Sequence, residues 1–114
     1  MVKDVLFLLN PGFFDGDDGP FFCPHNAALE GLLKYVPDLE TILDVRRVDF
    51  SRPRPDIVEL LGEENQAAPV LVIDVTREAP AGAQVSATTG RAFIVGEIAI
   101  SEYLHRSFGV MKPH

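Results

Sequence analysis

Apolar and polar positions fall in blocks along this chain, and their lengths and periods predict strands alternating with helices. Val5–Leu9 is an unbroken apolar run that stops at Asn10-Pro11-Gly12, the pattern of a strand covered on both faces. The Gly-, Asp- and Pro-rich stretch from Asn10 to Phe22 predicts a loop. Leu29, Leu32, Leu33 and Val36 then recur at helical spacing, and Pro37 ends that stripe. Thr41–Phe50 is rich in β-branched residues of mixed polarity and predicts a more exposed strand.

The second half repeats the alternation. Ser51–Pro55 is a stiff turn, with Pro55 suited to the first turn of a helix whose buried stripe is Ile57, Leu60 and Leu61. Gly62 is its stop. Ala67-Ala68-Pro69 leads into an apolar strand, Val70–Ile73, and a loose Pro-, Gly-, Ser- and Thr-rich segment from Thr76 to Gly90 precedes a strand at Arg91–Val95. A last helix presents Ile100, Tyr103, Leu104 and Phe108 on one face, with Gly109 behind it.

The order is therefore β-α-β-α-β-β-α. Two strands joined through a helix should be parallel, and two joined by a loop antiparallel, which predicts an α/β fold with a four-stranded mixed sheet and helices on both faces. A chain of 114 residues, 46% hydrophobic and 24% charged, suits one domain over 1–114 with a substantial core. Its net charge of -7 disfavours nucleic acid and anionic membranes as partners, since both would repel it. The first apolar run is too short for a signal or a membrane span, and one Cys permits no internal disulfide, so a cytoplasmic protein is expected.

Two landmarks bring a family into view. Cys23-Pro24-His25-Asn26 lies between the first strand and the first helix, and Ala68-Pro69 directly precedes the third strand. The chain resembles the thioredoxin-like superfamily, which keeps a Cys-x-x-Cys or Cys-x-x-Ser motif at the first place and a cis-proline at the second. Ala99-Ile100-Ser101-Glu102-Tyr103-Leu104 is similar to the closing helix of the glutathione-transferase N-terminal domain. Gly19–His25 and Asn65–Leu71 together resemble a family of small bacterial thioredoxin-like proteins.

The resemblance implies a glutaredoxin-like thiol–disulfide oxidoreductase with Cys23, Pro24 and His25 at the reacting centre. It places Asn26, Ala68, Pro69 and Glu97 against the substrate. It implies no resident cofactor, and glutathione or a protein thiol as partner. Two departures qualify it. Asn26 stands where a dithiol enzyme has its second Cys, so an intramolecular disulfide is unavailable. Gly96-Glu97 stands where transferases place an acidic residue and a serine; Glu97 would attract the amine of glutathione and repel its carboxylate. Transferases also carry an added helical domain, and this chain stops at His114 without one, so a complete transferase is not expected.

At Cys23 the sequence leaves the sign of the thiol's pKa shift open. A helix start favours thiolate by about 0.3–1 kcal/mol, and Pro24 suits the first helical position. His25, if protonated, would add positive charge. Asp15, Asp17 and Asp18 oppose it with a comparable effect. Two readings stand side by side, a reactive monothiol and a small packed apolar residue.

The Asp15–Gly19 loop fails calcium-loop spacing and predicts a solvated turn. Cys23 and His25 supply too few ligands for a metal site. His105 is expected on an exposed helix face, and Phe13, Phe14, Phe21 and Phe22 as core anchors, with any exposure among them pointing to a protein partner. Two function classes remain. One is a monothiol redox or glutathione-handling protein; the other is a non-catalytic protein-interaction module using the same groove or a sheet edge.

Overall fold

The first strand is buried along its whole length because helices cover both of its faces. The computed structural model describes residues 3–114; Met1 and Val2, at the start of the expected domain, lie outside the described residues. The elements run β1 (Val5–Leu9), β2 (Phe13–Asp15), β3 (Asp18–Phe21), α1 (Pro24–Tyr35), α2 (Leu39–Ile42) and β4 (Asp44–Val48). Then follow α3 (Pro55–Leu61), β5 (Val70–Val72), β6 (Gln84–Val85), β7 (Ala92–Val95) and α4 (Glu97–Phe108).

The main sheet is mixed, in the order β4-β1-β5-β7-β6. β1 pairs parallel with β4, and every other neighbour is antiparallel. Alternation along the strands sorts side chains to two cores. Leu6, Leu8, Leu71 and Ile73 pack with Leu29 and Leu33 of α1 and Ile100 and Leu104 of α4. Val5, Phe7, Leu9, Val70, Val72 and Phe93 pack with Ile57 and Leu61 of α3 on the other face. The continuous run Val-Leu-Phe-Leu-Leu needs both covers at once.

The α/β class, the parallel first pair and the helices on both faces agree with the sequence pattern. The strand count does not. The main sheet has five strands, because Gln84–Val85 in the expected loose segment pairs with β7 at its outer edge. That segment is pinned by Ser86, whose buried hydroxyl donates to the Leu61 carbonyl at 2.7 Å and accepts from the N–H groups of Thr88 and Thr89. The expected loop at Asn10–Phe22 folds as a separate hairpin of β2 and β3.

The expected strand at Thr41–Phe50 is shorter, because Leu39–Ile42 closes a helical turn after Pro37. Leu39 is fully buried there, and the Thr41 hydroxyl donates to the Asp38 carbonyl at 2.7 Å. Burial of one leucine outweighs the β preference of its neighbours. His105 also departs from expectation: its Nδ1 lies 2.7 Å from the Val110 carbonyl, tying the segment after α4 back to the helix.

At the start of β1, buried Asp4 joins three segments. It accepts from the Asp74 N–H at 2.7 Å and the Tyr103 hydroxyl at 2.8 Å, and it pairs with Arg77. Burial, reinforced by Asp4, pushes the Tyr103 hydroxyl up to about 12. This network closes the end of the sheet opposite to the landmarks at Cys23.

Candidate functional site

Cys23 is the N-cap of α1, an extended residue (φ -87°, ψ 117°) whose carbonyl accepts from the Ala27 N–H at 2.9 Å. Pro24 fills the first helical position, where its missing N–H costs nothing. The N–H groups of His25 and Asn26 are then free donors at the helix start, and they lie beside the sulfur. The thiol itself makes no cap hydrogen bond. It is partly buried, packed with Phe50 and Ala68 against the core under α3.

These surroundings settle the sign that the sequence leaves open. Burial pushes the thiol up, but the Asn26 N–H, the Asn26 side chain and the His25 N–H outweigh it. The net result lies below the usual cysteine range, with Glu97 opposing. Asp15, Asp17 and Asp18, expected to oppose the thiolate from the same loop, are exposed around the far turn of the β2–β3 hairpin.

Asn26 is 3% exposed and holds the site together. Its Oδ1 accepts from the Leu9 N–H at the end of β1, at 3.0 Å. Its Nδ2 donates to the Ala68 carbonyl at 3.3 Å, and its side chain beside the sulfur favours the thiolate. The residue standing in place of a second cysteine therefore fixes three segments around the first one. Its polar ends are occupied by the protein's own groups, so it positions the site from within.

Ala68-Pro69 is a cis peptide at the mouth of β5, and the Pro69 carbonyl accepts from the Gly96 N–H at 3.1 Å. Gly96 has a φ of 94°, a conformation that a side chain would strain, and it turns the chain from β7 into α4. That turn delivers Glu97 to His25. The His25 Nδ1 lies 3.0 Å from the Glu97 carboxylate. The bond to His25 and its own backbone N–H hold the Glu97 carboxyl below its ordinary range. His25 thus acts on the sulfur through its backbone, while its ring is turned to Glu97. The structure gathers Cys23, Pro24, His25, Asn26, Ala68, Pro69 and Glu97 at one end of the sheet.

Sequence reasoning missed Arg54. Flanked by Pro53 and Pro55 it resembles a surface turn cation, yet it is only 6% exposed. Its guanidinium donates to the Phe50 carbonyl at 3.0 and 2.6 Å and to the Gln66 carbonyl at 2.7 Å. Its own N–H donates to the Gln66 Oε1 at 2.7 Å. No carboxylate pairs with it among the described residues. Burial and the charge of Arg52 lower its pKa, and Cys23 acts in the opposite sense, as a negative sulfur near a guanidinium does. No local sequence signal marks this cation, because the two carbonyls that receive it come from separate loops.

A family model described as "Protein of unknown function (DUF3088)" matches residues 3–112. The chain belongs to the DUF3088 family. No curated protein and no solved structure matches it. Among the described residues of this DUF3088 chain no three His, Cys, Asp or Glu converge to hold a metal ion. No described helix is long and apolar enough to cross a membrane.

Glu97 gives the DUF3088 site a testable electrostatic signature. Its negative charge raises the Cys23 pKa. Glu97→Gln is therefore expected to move the pH inflection of Cys23 alkylation further toward acid. A shift toward alkali would mean that the His25 contact, rather than the bare charge, governs the sulfur.

Proposed function

We propose that this chain is a thioredoxin-like protein whose Cys23 forms reversible mixed disulfides with another thiol. The observation that carries the reading is the placement of a partly exposed sulfur on two helix-start N–H groups that favour its thiolate. The strand order and the position of Ala68-Pro69 next to that helix start support the thioredoxin-like part of it.

In the reaction the Cys23 thiolate attacks one sulfur of a disulfide. A new S–S bond forms as the old one breaks, and the departing sulfur leaves as a thiolate that takes up a proton. Asn26 cannot attack in turn, so a second, external thiol must release Cys23 by the same exchange in reverse. Glutathione or a protein thiol supplies it. Pro24 leaves the thiolate face of the helix start open, and the Ala68 backbone beside the sulfur receives the extended chain of the partner.

The test is the rate of Cys23 alkylation against pH. The inflection is expected below the value of an unstructured cysteine, about 8.5. An inflection at or above that value sinks the reading. Stability should follow the same proton. With the folded pKa depressed, the thiolate's contribution is fully present above the unfolded cysteine's pKa and fades as pH falls through the folded one. Cys23→Ala should abolish that slope in a comparison of unfolding free energies across pH.

A further inference from the structure

The β2–β3 hairpin adjoins Cys23 and pairs with no other strand. Two-stranded hairpins are marginal in water on their own, so something must hold this one. Its base does. The Phe13 ring stacks on Phe50 at 4.3 Å, and the Gly12 N–H donates to the Phe21 carbonyl at 2.7 Å. Asn10 binds the neighbouring segment twice, through its N–H to the Val48 carbonyl at 2.8 Å and its amide to Asp49 at 3.1 Å.

Phe13 anchors the arm and carries the Phe21 ring against it at 6.0 Å, while Phe14 and Phe22 face solvent. Phe14 is 55%, Phe21 39% and Phe22 65% exposed. Asp15, Asp17 and Asp18 are exposed at the turn with no ion-pair partner among the described residues. No Lys or Arg occurs between Lys3 and Lys34, so nothing on the arm offsets those carboxylates. Large aromatics held out in solvent on a small domain mark a contact surface.

Charge selects the occupant. A second copy of this chain, at net -7 and with the same acidic arm, is repelled, as are an anionic membrane and nucleic acid. Glutathione carries net negative charge and is repelled as well. A polypeptide with basic residues matches the aspartates.

We propose that the β2–β3 hairpin is a docking arm for a polypeptide that carries a disulfide flanked by apolar and Lys/Arg residues, and presents it to Cys23. The proposal rests on the exchange reaction above and names its substrate class. Phe14 and Phe22 take the apolar side chains, and Asp15, Asp17 and Asp18 steer the basic ones. The chemistry is the exchange already described, with the peptide's disulfide as oxidant.

The experiment compares three disulfides on the reduced full chain at low ionic strength. One is a neutral aromatic disulfide; the others are ten-residue peptide disulfides, one built on Lys and Leu and one on Glu and Leu. The basic peptide is expected to react at least about tenfold faster than the acidic one, and the advantage should shrink at high salt. Asp15→Asn/Asp17→Asn/Asp18→Asn should remove it while leaving the neutral disulfide's rate unchanged. Phe14→Ser/Phe22→Ser should slow both peptides. Equal peptide rates beside a normal reaction with the neutral disulfide overturn the docking arm and leave Cys23 chemistry intact. Failure of the neutral disulfide itself overturns the exchange reading, and the docking proposal with it.

Discussion

Asn26→Ala is expected to destabilise the protein by about 2–4 kcal/mol and to make Cys23 a poorer nucleophile at neutral pH. The magnitude follows from what the truncation strands. The Leu9 N–H loses its partner at 3.0 Å and the Ala68 carbonyl loses a donor at 3.3 Å, both around a side chain only 3% exposed. A buried polar group left unpaired costs about 1–3 kcal/mol, and some relief from entering water brings the pair to the lower part of the sum. The chemical effect has a separate origin. The polar side chain beside the sulfur disappears, and it is one of the groups that hold the thiol below its usual range.

Chemical denaturation at pH 7 measures the first effect and the alkylation profile the second. Asn26→Asp distinguishes them further. The ionised carboxylate introduced there still accepts from the Leu9 N–H but cannot donate to the Ala68 carbonyl, and its charge opposes the thiolate. The alkylation inflection of Asn26→Asp should exceed that of Asn26→Ala. Stability loss with an unchanged inflection would leave Asn26 a purely structural clamp.

Arg54→Met is expected to cost about 2–4 kcal/mol and to raise the Cys23 inflection. Three hydrogen bonds from the guanidinium to the Phe50 and Gln66 carbonyls are lost. Hydrogen bonds from a charged donor are worth about 1.5–3 kcal/mol each, but relief from burying a charge without a carboxylate offsets part of that. Electrostatic coupling is reciprocal, so a sulfur whose negative charge raises the Arg54 pKa is itself favoured as thiolate by the guanidinium. Removing the positive charge disfavours thiolate whatever becomes of the loops.

Arg54→Lys tells the two roles apart. An ammonium keeps the charge but not the planar fork that spans two carbonyls. It should restore much of the low inflection while recovering little of the stability. If Arg54→Lys and Arg54→Met gave the same inflection, the guanidinium would be a loop fastener and not a positioning residue for the thiol. Both Arg54 variants should be compared with Asn26→Ala at equal distance from their unfolding midpoints, so that partial unfolding does not pass for a pKa effect.

Much of this architecture was legible in the chain itself. Val5–Leu9 and Val70–Ile73 announce interior strands because a strand covered on both faces tolerates no polar position. The stripes of α1 and α4 repeat at helical spacing, and Pro55, Gly62 and Gly109 fall at the ends they suit. Pairing of β1 with β4 in parallel follows from the helix between them. The candidate sulfur was legible too, since a Cys-Pro step opening a helix has few other placements.

What escaped sequence reading depends on residues far apart in the chain. β6 exists because Ser86 reaches Leu61, and the hairpin exists because Phe13 finds Phe50. Neither β2, β3 nor β6 has a pattern of its own. The phenylalanines of the hairpin look like core residues by type, and only the fold shows that the core is already full without Phe14 and Phe22. Arg54 looks like a surface cation for the same reason, until two carbonyls from different loops close around it.

The sequence by itself determined the α/β class, the two apolar faces of the central strands and the place of Cys23 at a helix start, because each is written in local periodicity. The tertiary structure alone decided the state of that cysteine. Its proton is governed by burial, by the donors of His25 and Asn26 at the start of α1 and by a carboxylate on α4, and Coulomb and hydrogen-bond energies depend on distances that only folding sets.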